Sequence, residues 1–331
     1  MRMRHRWSPW THRTAGLAVV AVLLGAAAGC GSGSGPGPTA GAGRTAADFA
    51  TLHGGPAHDQ LALPVDAYAY TVAERDQLAL ARSVTTGECL RQFGYAYDFT
   101  ADKAENALVA RRDLMDFGLY GNKRRYNVTD PAVAAAYGYH LVSTVTGVEK
   151  AAGSDRHGLG DRSAAEDVVL TGNDPAGTVV SRTPAGRPIP AGGCAGQGNG
   201  AFTNRDGTIG DPATITGLRS ASFDRSEHDP KVTSALRAWS ACLLAKGRRY
   251  ASPLDDPGFD IESRTVSPAE AAAARADVAC KQQTHLTDTW LASEVTYQRQ
   301  WIAAHPADFR AATAEHDATM KRVVQVIAAA R

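Results

Sequence analysis

The chain has 331 residues with a formal net charge of +1, 44% hydrophobic and 21% charged residues, 33 Gly and 5 Cys. A nearly balanced charge argues against nucleic acid as a partner, since nucleic-acid binders carry a basic excess. Four of the arginines sit in the first thirteen residues, so any form lacking them has a net charge of −3.

The N-terminus reads "MRMRHRWSPWTHR", with Arg2, Arg4, Arg6 and Arg13 and no acid, then the apolar run "TAGLAVVAVLLGAAA". This is the basic region and short hydrophobic region of a signal peptide, too short for a permanent membrane span. Residues 1–29 are therefore expected to be removed. The junction Ala27-Ala28-Gly29-Cys30 resembles the lipobox of bacterial lipoproteins, with Ala27 where Leu is common. The resemblance implies palmitate-type acylation at Cys30, each buried methylene adding about 0.8 kcal/mol of membrane affinity. Residues 30–45, "CGSGSGPGPTAGAGRT", have the composition of a flexible linker.

The next segments read as helices. "YTVAERDQLALARSVTTGECLRQFG" opens on a capping box, Thr71 with Glu74, and closes on Gly94. Its apolar pattern weakens at Thr85-Thr86-Gly87, which predicts a kink. "ADKAENALVARRDLMDFG" predicts a helix ending near Gly118. "DPAVAAAYGYH" predicts a short one, with Asp130 as N-cap and Pro131 at the first position. "LVSTVTGVE" has the β-branched content of a strand, and "SAAEDVVLTG" opens on a second box, Ser163 to Glu166. The stretch from Asn173 to Gly217 is dense in Gly and Pro and reads as irregular, with "GQGNG" (Gly196 to Gly200) as loop.

The second half is cleaner. "DPKVTSALRAWSACLLAKG" has Asp229 as N-cap, Pro230 at the first position and Gly247 beyond the end; Val232, Leu236, Trp239 and Leu243 form one stripe. Ser267, Pro268 and Glu270 open a helix that reaches as far as His305, with a break expected midway. Its stripe is Leu286, Trp290, Tyr297 and Trp301. A last helix puts Phe309, His316, Met320, Val323 and Ile327 on one face, and it should pair with its predecessor as an antiparallel hairpin. The expected fold is mainly α: a helical domain stapled by two disulfides, with a Gly/Pro-rich irregular middle and at most a few short strands. The expected divisions are 46–220 and 221–331, either as two cores or as one shared core.

With Cys30 set aside, Cys89, Cys194, Cys242 and Cys280 remain. An even number in an exported chain reads as disulfides, with three connectivities open. "ECLRQFGYAY" (from Glu88) and "ACLLAKGRRY" (from Ala241) echo each other: Cys-Leu, then Gly, then Tyr. If each echo opens a half, each half holds one further Cys downstream. Cys89–Cys194 and Cys242–Cys280 also close shorter loops than the crossed alternatives, each contributing about 3–5 kcal/mol. No Cys or His spacing matches a metal site, and no cofactor motif is present.

Candidate chemistry is weak. Glu227, His228 and Asp229 adjoin, but Asp229 is better used as a helix cap. Asp155, His157 and Asp161 suit a solvated turn. His53 and His58 lie near the linker, and His316, on an apolar face, suits a core histidine with a bonding partner. Two basic groups, Lys123, Arg124 and Arg125, then Lys246, Arg248 and Arg249, each follow a helix end. Cations are favourable there; the other reading is contact with anionic headgroups or wall polymer.

"LALPVDAYAY", "ECLRQFGYAYD", "KRRYNVTD", "PIPAGGCAG", "WSACLLAKGRRYASP" and "ADVACK" follow in an order that resembles a group of uncharacterised actinomycete exported lipoproteins. This chain departs from that pattern after Cys194, at Ala195-Gly196-Gln197. The resemblance implies export, lipidation and cysteine pairing, and no catalytic residue. The expectation is thus a lipid-anchored protein on the outer face of the cell membrane. It would bind an envelope protein, a wall polymer or a small ligand without catalysis. The alternative is a wall-directed or extracellular enzyme whose acid and His residues converge only in the fold.

Overall fold

The computed structural model describes residues 61–97, 99–148 and 162–330. Cys30, the signal and linker segments, His53, His58, Asp155, His157 and Asp161 lie outside them. The described chain is mainly helical: a 3₁₀ turn at Pro64–Tyr68, then α1 (Val72–Gln92), α2 (Phe99–Phe117), α3 (Pro131–Tyr137), α4 (Val142–Thr146), α5 (Ala164–Thr171), α6 (Gly193–Gly200), α7 (Ala213–Glu227), α8 (Pro230–Ala245), α9 (Pro268–Gln283), α10 (Leu286–Ala304) and α11 (Pro306–Ala329).

Capping chemistry sets most of these boundaries. Thr71 and Glu74 exchange reciprocal bonds at the start of α1. Asp130, Ser163, Asp229 and Ser267 accept first-turn N–H groups of α3, α5, α8 and α9. Each such cap is worth about 1 kcal/mol. The long helix expected after Ser267 does break, at His285, which adopts a left-handed φ of 52° between α9 and α10.

Both disulfides form as the echo suggested. Cys89 of α1 joins Cys194 of α6 with Cα atoms 5.5 Å apart, and Cys242 of α8 joins Cys280 of α9 at 5.8 Å. Both spans suit an unforced bridge.

Several expectations are corrected. The segment after Leu141 is a helix, α4, not a strand. The Ser143 N–H donates to Asp116 Oδ1 at 2.9 Å, the Thr146 hydroxyl folds back onto the Val142 carbonyl at 2.8 Å, and no strand among the described residues offers a ladder. α1 runs unbroken through Gly87, where a Cβ would lie 2.4 Å from the Tyr97 ring. A Cβ on Gly198 would lie 2.3 Å from Thr86 Oγ1 and 2.8 Å from the Arg82 carbonyl, so α6 and α1 approach backbone to backbone.

"GQGNG" is accordingly part of helix α6, not loop. α7 was hidden by Thr, Gly and Ser, and the expected division at 220/221 falls inside it. The rest of the irregular middle is more regular than its composition suggests. Single bridges at Asn173↔Val179, Arg182↔Pro188 and Thr203↔Ile209 close three equivalent turns, with Gly177, Gly186 and Gly207 each at φ near 80°.

The two halves interpenetrate. Leu63 and Val65 of the 3₁₀ segment pack with Ile215 and Leu218 of α7 and Phe309 of α11. Tyr126 packs with Trp239, Leu243, Leu286 and Trp290. Each such large apolar side chain contributes about 1.5–3 kcal/mol by leaving water. α11 does not form a hairpin with α10; after the single residue His305 it turns away and packs chiefly on α1. There His316 Nε2 lies 3.4 Å from Glu74 Oε1 and its ring lies 4.3 Å from that of Tyr70. Burial pushes the Glu74 carboxyl up, but His316 and the Thr71 N–H and hydroxyl outweigh it and hold it at about 2. The same bond raises the His316 pKa.

Candidate functional site

Two faces of α10 organise the site. Leu286, Trp290, Glu294 and Gln298, four residues apart, are all buried. The expected stripe held for Leu286 and Trp290 only: Tyr297 is half-buried and Trp301 is 41% exposed. A hydropathy reading misses Glu294 and Gln298, although the four-residue register from Trp290 points to both.

Glu294 is fully buried and fully partnered. Arg125 Nε reaches its two oxygens at 3.0 and 2.9 Å and Nη2 donates to Oε2 at 2.6 Å. The Tyr126 hydroxyl donates to Oε1 at 2.6 Å, and Ser222 Oγ lies 3.1 Å from Oε2. Burial, then the Glu294 charge, drive the Tyr126 phenol pKa upward, so it stays a donor. Arg125 also donates to the Arg219 carbonyl; Arg219 in turn pairs with Asp66 at 2.6 Å, which Asn122 and the Leu63 N–H bond as well.

A second buried group lies under α3. Asp277 accepts from Trp239 Nε1 at 2.8 Å and from Lys281 Nζ at 3.0 Å, and Lys281 also reaches the Val128 carbonyl. Burial lowers the Lys281 pKa, against the Asp277 charge. Glu270 lies 2.7 Å from His140 Nδ1 and accepts the Tyr139 N–H.

These networks relocate the first basic group. Arg125 is drawn inward by Glu294. Arg124 donates to the Tyr139 and His140 carbonyls, and Lys123 to the Met115 carbonyl near the end of α2. The helix-end reading holds for Lys123; the surface reading fails for Arg124 and Arg125, whose charges satisfy interior acceptors. Lys246 and Arg249 are exposed at the end of α8, and Arg248 is half-buried, its nearest acceptor the Ala269 carbonyl at 3.4 Å.

The other face of α10 borders an open groove of about 820 Å³, closed on the far side by the α7–α8 corner. That corner holds Glu227, His228 and Asp229. Asp229 Oδ1 accepts the Lys231 N–H at 2.8 Å and Oδ2 accepts from the Ser293 hydroxyl at 3.0 Å, which ties corner to helix. The Lys231 N–H holds the Asp229 carboxyl below its ordinary pKa. His228 Nδ1 donates to the Asp224 carbonyl at 2.7 Å. Beneath, Trp290 Nε1 donates to Ser226 Oγ at 2.9 Å. The Arg225 guanidinium lies 5.0 Å over the Tyr297 ring, which stacks with Trp301 at 6.1 Å, which stacks with His305 at 4.1 Å.

The groove's histidine bonds the Asp224 carbonyl, and its Asp229 carboxylate is committed to the helix cap and to Ser293. Among the described residues, no three His, Cys, Asp or Glu converge as metal ligands, and no helix is long and apolar enough to cross a membrane. No protein-family model, curated protein or solved structure matches the chain.

Proposed function

We propose that this chain is an exported lipoprotein, acylated at Cys30 and held on the outer face of the cell membrane. There it presents its helical domain as a non-catalytic binding or accessory module. The observation that carries the reading is the pair of cross-links, Cys89–Cys194 and Cys242–Cys280. Such bonds persist in oxidising compartments and are rare in the cytosol of mesophiles. A second support is the fate of the interior charge. Arg125, Glu294, Asp277, Lys281 and Glu270 all serve to pin segments together. Lys246, Arg248 and Arg249 are the cations we assign to contact with anionic headgroups or wall polymer.

The test is the protein in its own membranes. Intact-mass measurement should show an acylated Cys30, and Cys30→Ser should release the chain into the soluble fraction. A soluble, unacylated product from the unaltered gene overturns the anchor. Crosslinking in native membranes should then join the anchored protein to an envelope component.

A further inference from the structure

We propose, building on the lipid-anchored reading above, that the outward face of α8 lies on the anionic surface of the bilayer that holds Cys30. The register of α8 makes that face. Val232, Trp239 and Leu243 point inward and are buried. Arg237, Ala241 and Leu244, at spacings of four and three, line the opposite side and are exposed, with Ala238 and Ala245 beside them. Leu244 is 50% exposed, and Lys246, Arg248 and Arg249 follow directly beyond the last turn.

The charge selects the chemistry of the partner. Lys231, Arg237, Lys246, Arg248 and Arg249 are the charged residues between Asp229 and Asp255, and no acid stands among them. Lys231 lies beside the Asp229 cap; the other four make no ion pair with a described residue. Among the described helices α8 alone carries cations and no acid, whereas α1, α2, α7, α9, α10 and α11 carry both signs. The acids of the following loop begin at Asp255, whose Oδ2 accepts the Ala251 and Ser252 N–H groups. The helix dipole accounts for cations just past the last turn. It does not account for Arg237 in mid-helix, or for an uncovered leucine in line with it. A soluble polyanion would use the cations and gain nothing from Leu244. A bilayer uses both: phosphates meet the guanidinium and ammonium groups, and Leu244, flanked by small alanines, enters the boundary between headgroups and acyl chains.

The anchor makes a weak contact sufficient. About 30 residues separate Cys30 from Leu61, so the chain between them spans at most about 110 Å. Leu61 packs against the cluster that contains Trp239 and Leu243 of α8, so the chain joins the domain at the core beneath this helix. A bilayer held that near acts at a high effective concentration. Four cations and one leucine then need only orient the domain, since the acyl chains have already captured it.

The experiment separates the face from the anchor. The mature chain with Cys30→Ser, which carries no lipid, is floated with vesicles of phosphatidylcholine, with and without phosphatidylglycerol, and is mixed separately with soluble poly(glycerol phosphate). We expect binding to the anionic vesicles alone, weakened by salt. Arg237→Gln should weaken it about fivefold and Lys246→Gln/Arg249→Gln about 25-fold. Leu244→Ser should weaken it severalfold, and Lys321→Gln on α11 should leave it unchanged. All replace exposed side chains, and an unchanged melting curve confirms that they fold. Leu244→Trp should be quenched by brominated acyl chains beyond any quenching of the unaltered chain. In acylated protein reconstituted into anionic vesicles, Lys246 should resist acetylation while Lys321 reacts. The assignment is overturned if neutral and anionic vesicles bind alike, or if the soluble polymer binds and the vesicles do not. It is overturned equally if Lys246→Gln/Arg249→Gln shifts the melting curve but not vesicle binding, which is the signature of cations serving the helix dipole alone. No vesicle binding, with Lys246 of the reconstituted protein as reactive as Lys321, also overturns it, as does an unquenched Leu244→Trp. Any of these results beside an acylated Cys30 removes this face and leaves the anchored reading standing; an unacylated Cys30 removes the anchor whatever the vesicles show.

Discussion

Arg125 and Glu294 lie 169 residues apart in the chain, yet the guanidinium grips the carboxylate with Nε and Nη2 at 2.6–3.0 Å inside the protein. A buried pair is costly to assemble and far costlier to break, because removing one partner strands the other charge without water. Glu294→Leu should destabilise the fold by about 3–5 kcal/mol. Adding Arg125→Met should recover part of that loss. Urea denaturation of the two single variants and the double variant measures it; simple additivity would mean that the ion pair is not the connection between them.

The two disulfides close loops of different length, 105 and 38 residues. Loop entropy grows only logarithmically, so the expected losses are similar, about 5 and about 4 kcal/mol. Cys89→Ala/Cys194→Ala and Cys242→Ala/Cys280→Ala should therefore lower the unfolding midpoint by comparable amounts. A much larger effect at one pair would show that its loss also releases native packing.

Gly198 is where α6 meets α1. Gly198→Ala should cost about 1–3 kcal/mol by overpacking, since the new methyl would meet the Arg82 carbonyl, which cannot swing away. Gly200→Ala, with no atom near its Cβ direction, is the control. It should be neutral or slightly stabilising in thermal melts.

The contact between α11 and α1 should depend on pH. The His316 pKa is raised from 6.5, so its contribution is complete below pH 6.5 and is lost as pH rises through the folded value. The Glu74 carboxyl falls from 4.5 to about 2, so its contribution is complete above pH 4.5 and is lost as pH falls toward 2. Stability from the pair is greatest between about 4.5 and 6.5. Asp317, 3.4 Å from His316 Nδ1, shares the site and adds in the same direction for the histidine. His316→Gln should remove about 1 kcal/mol in that window and flatten the profile of melting temperature above pH 6.5.

Much of the fold was legible because capping chemistry is local. Asp130, Ser163, Asp229 and Ser267 announce helix starts through residues a turn away, and the echo around Cys89 and Cys242 pointed to the pairing. What stayed hidden depends on neighbours remote in sequence. α7 carries Ser222 and Ser226 inward to meet Glu294 and Trp290, so the hydrophobic period begun by Ile215 and Leu218 stops halfway along its buried face. α6 needs its glycine at 198 because α1 lies against its backbone there, a reason absent from the sequence of α6 itself. Likewise, Arg124 and Arg125 read as surface cations until Glu294 and the Tyr139 and His140 carbonyls come into place. The groove escaped for the same reason: Asp229 and Ser293 are 64 residues apart.

The row of side-chain bonds between Leu61 and Tyr70 has a mechanical consequence. The Leu61 carbonyl is held by Asn122, the Leu63 N–H by Asp66, the Val65 N–H by Gln298 and the Tyr70 N–H by Asp211. Tension transmitted from the N-terminal side therefore loads a row of side-chain clamps before it reaches the first turn of α1. Gln298 belongs to α10, Asn122 and Asp211 to the segments ahead of α3 and α7, and Asp66 is itself held by Arg219 of α7, so the pull is spread across the molecule rather than peeling one helix. In force–extension measurements drawn from the N-terminus, Asn122→Ala should lower the force at which the chain first yields while α1 still holds.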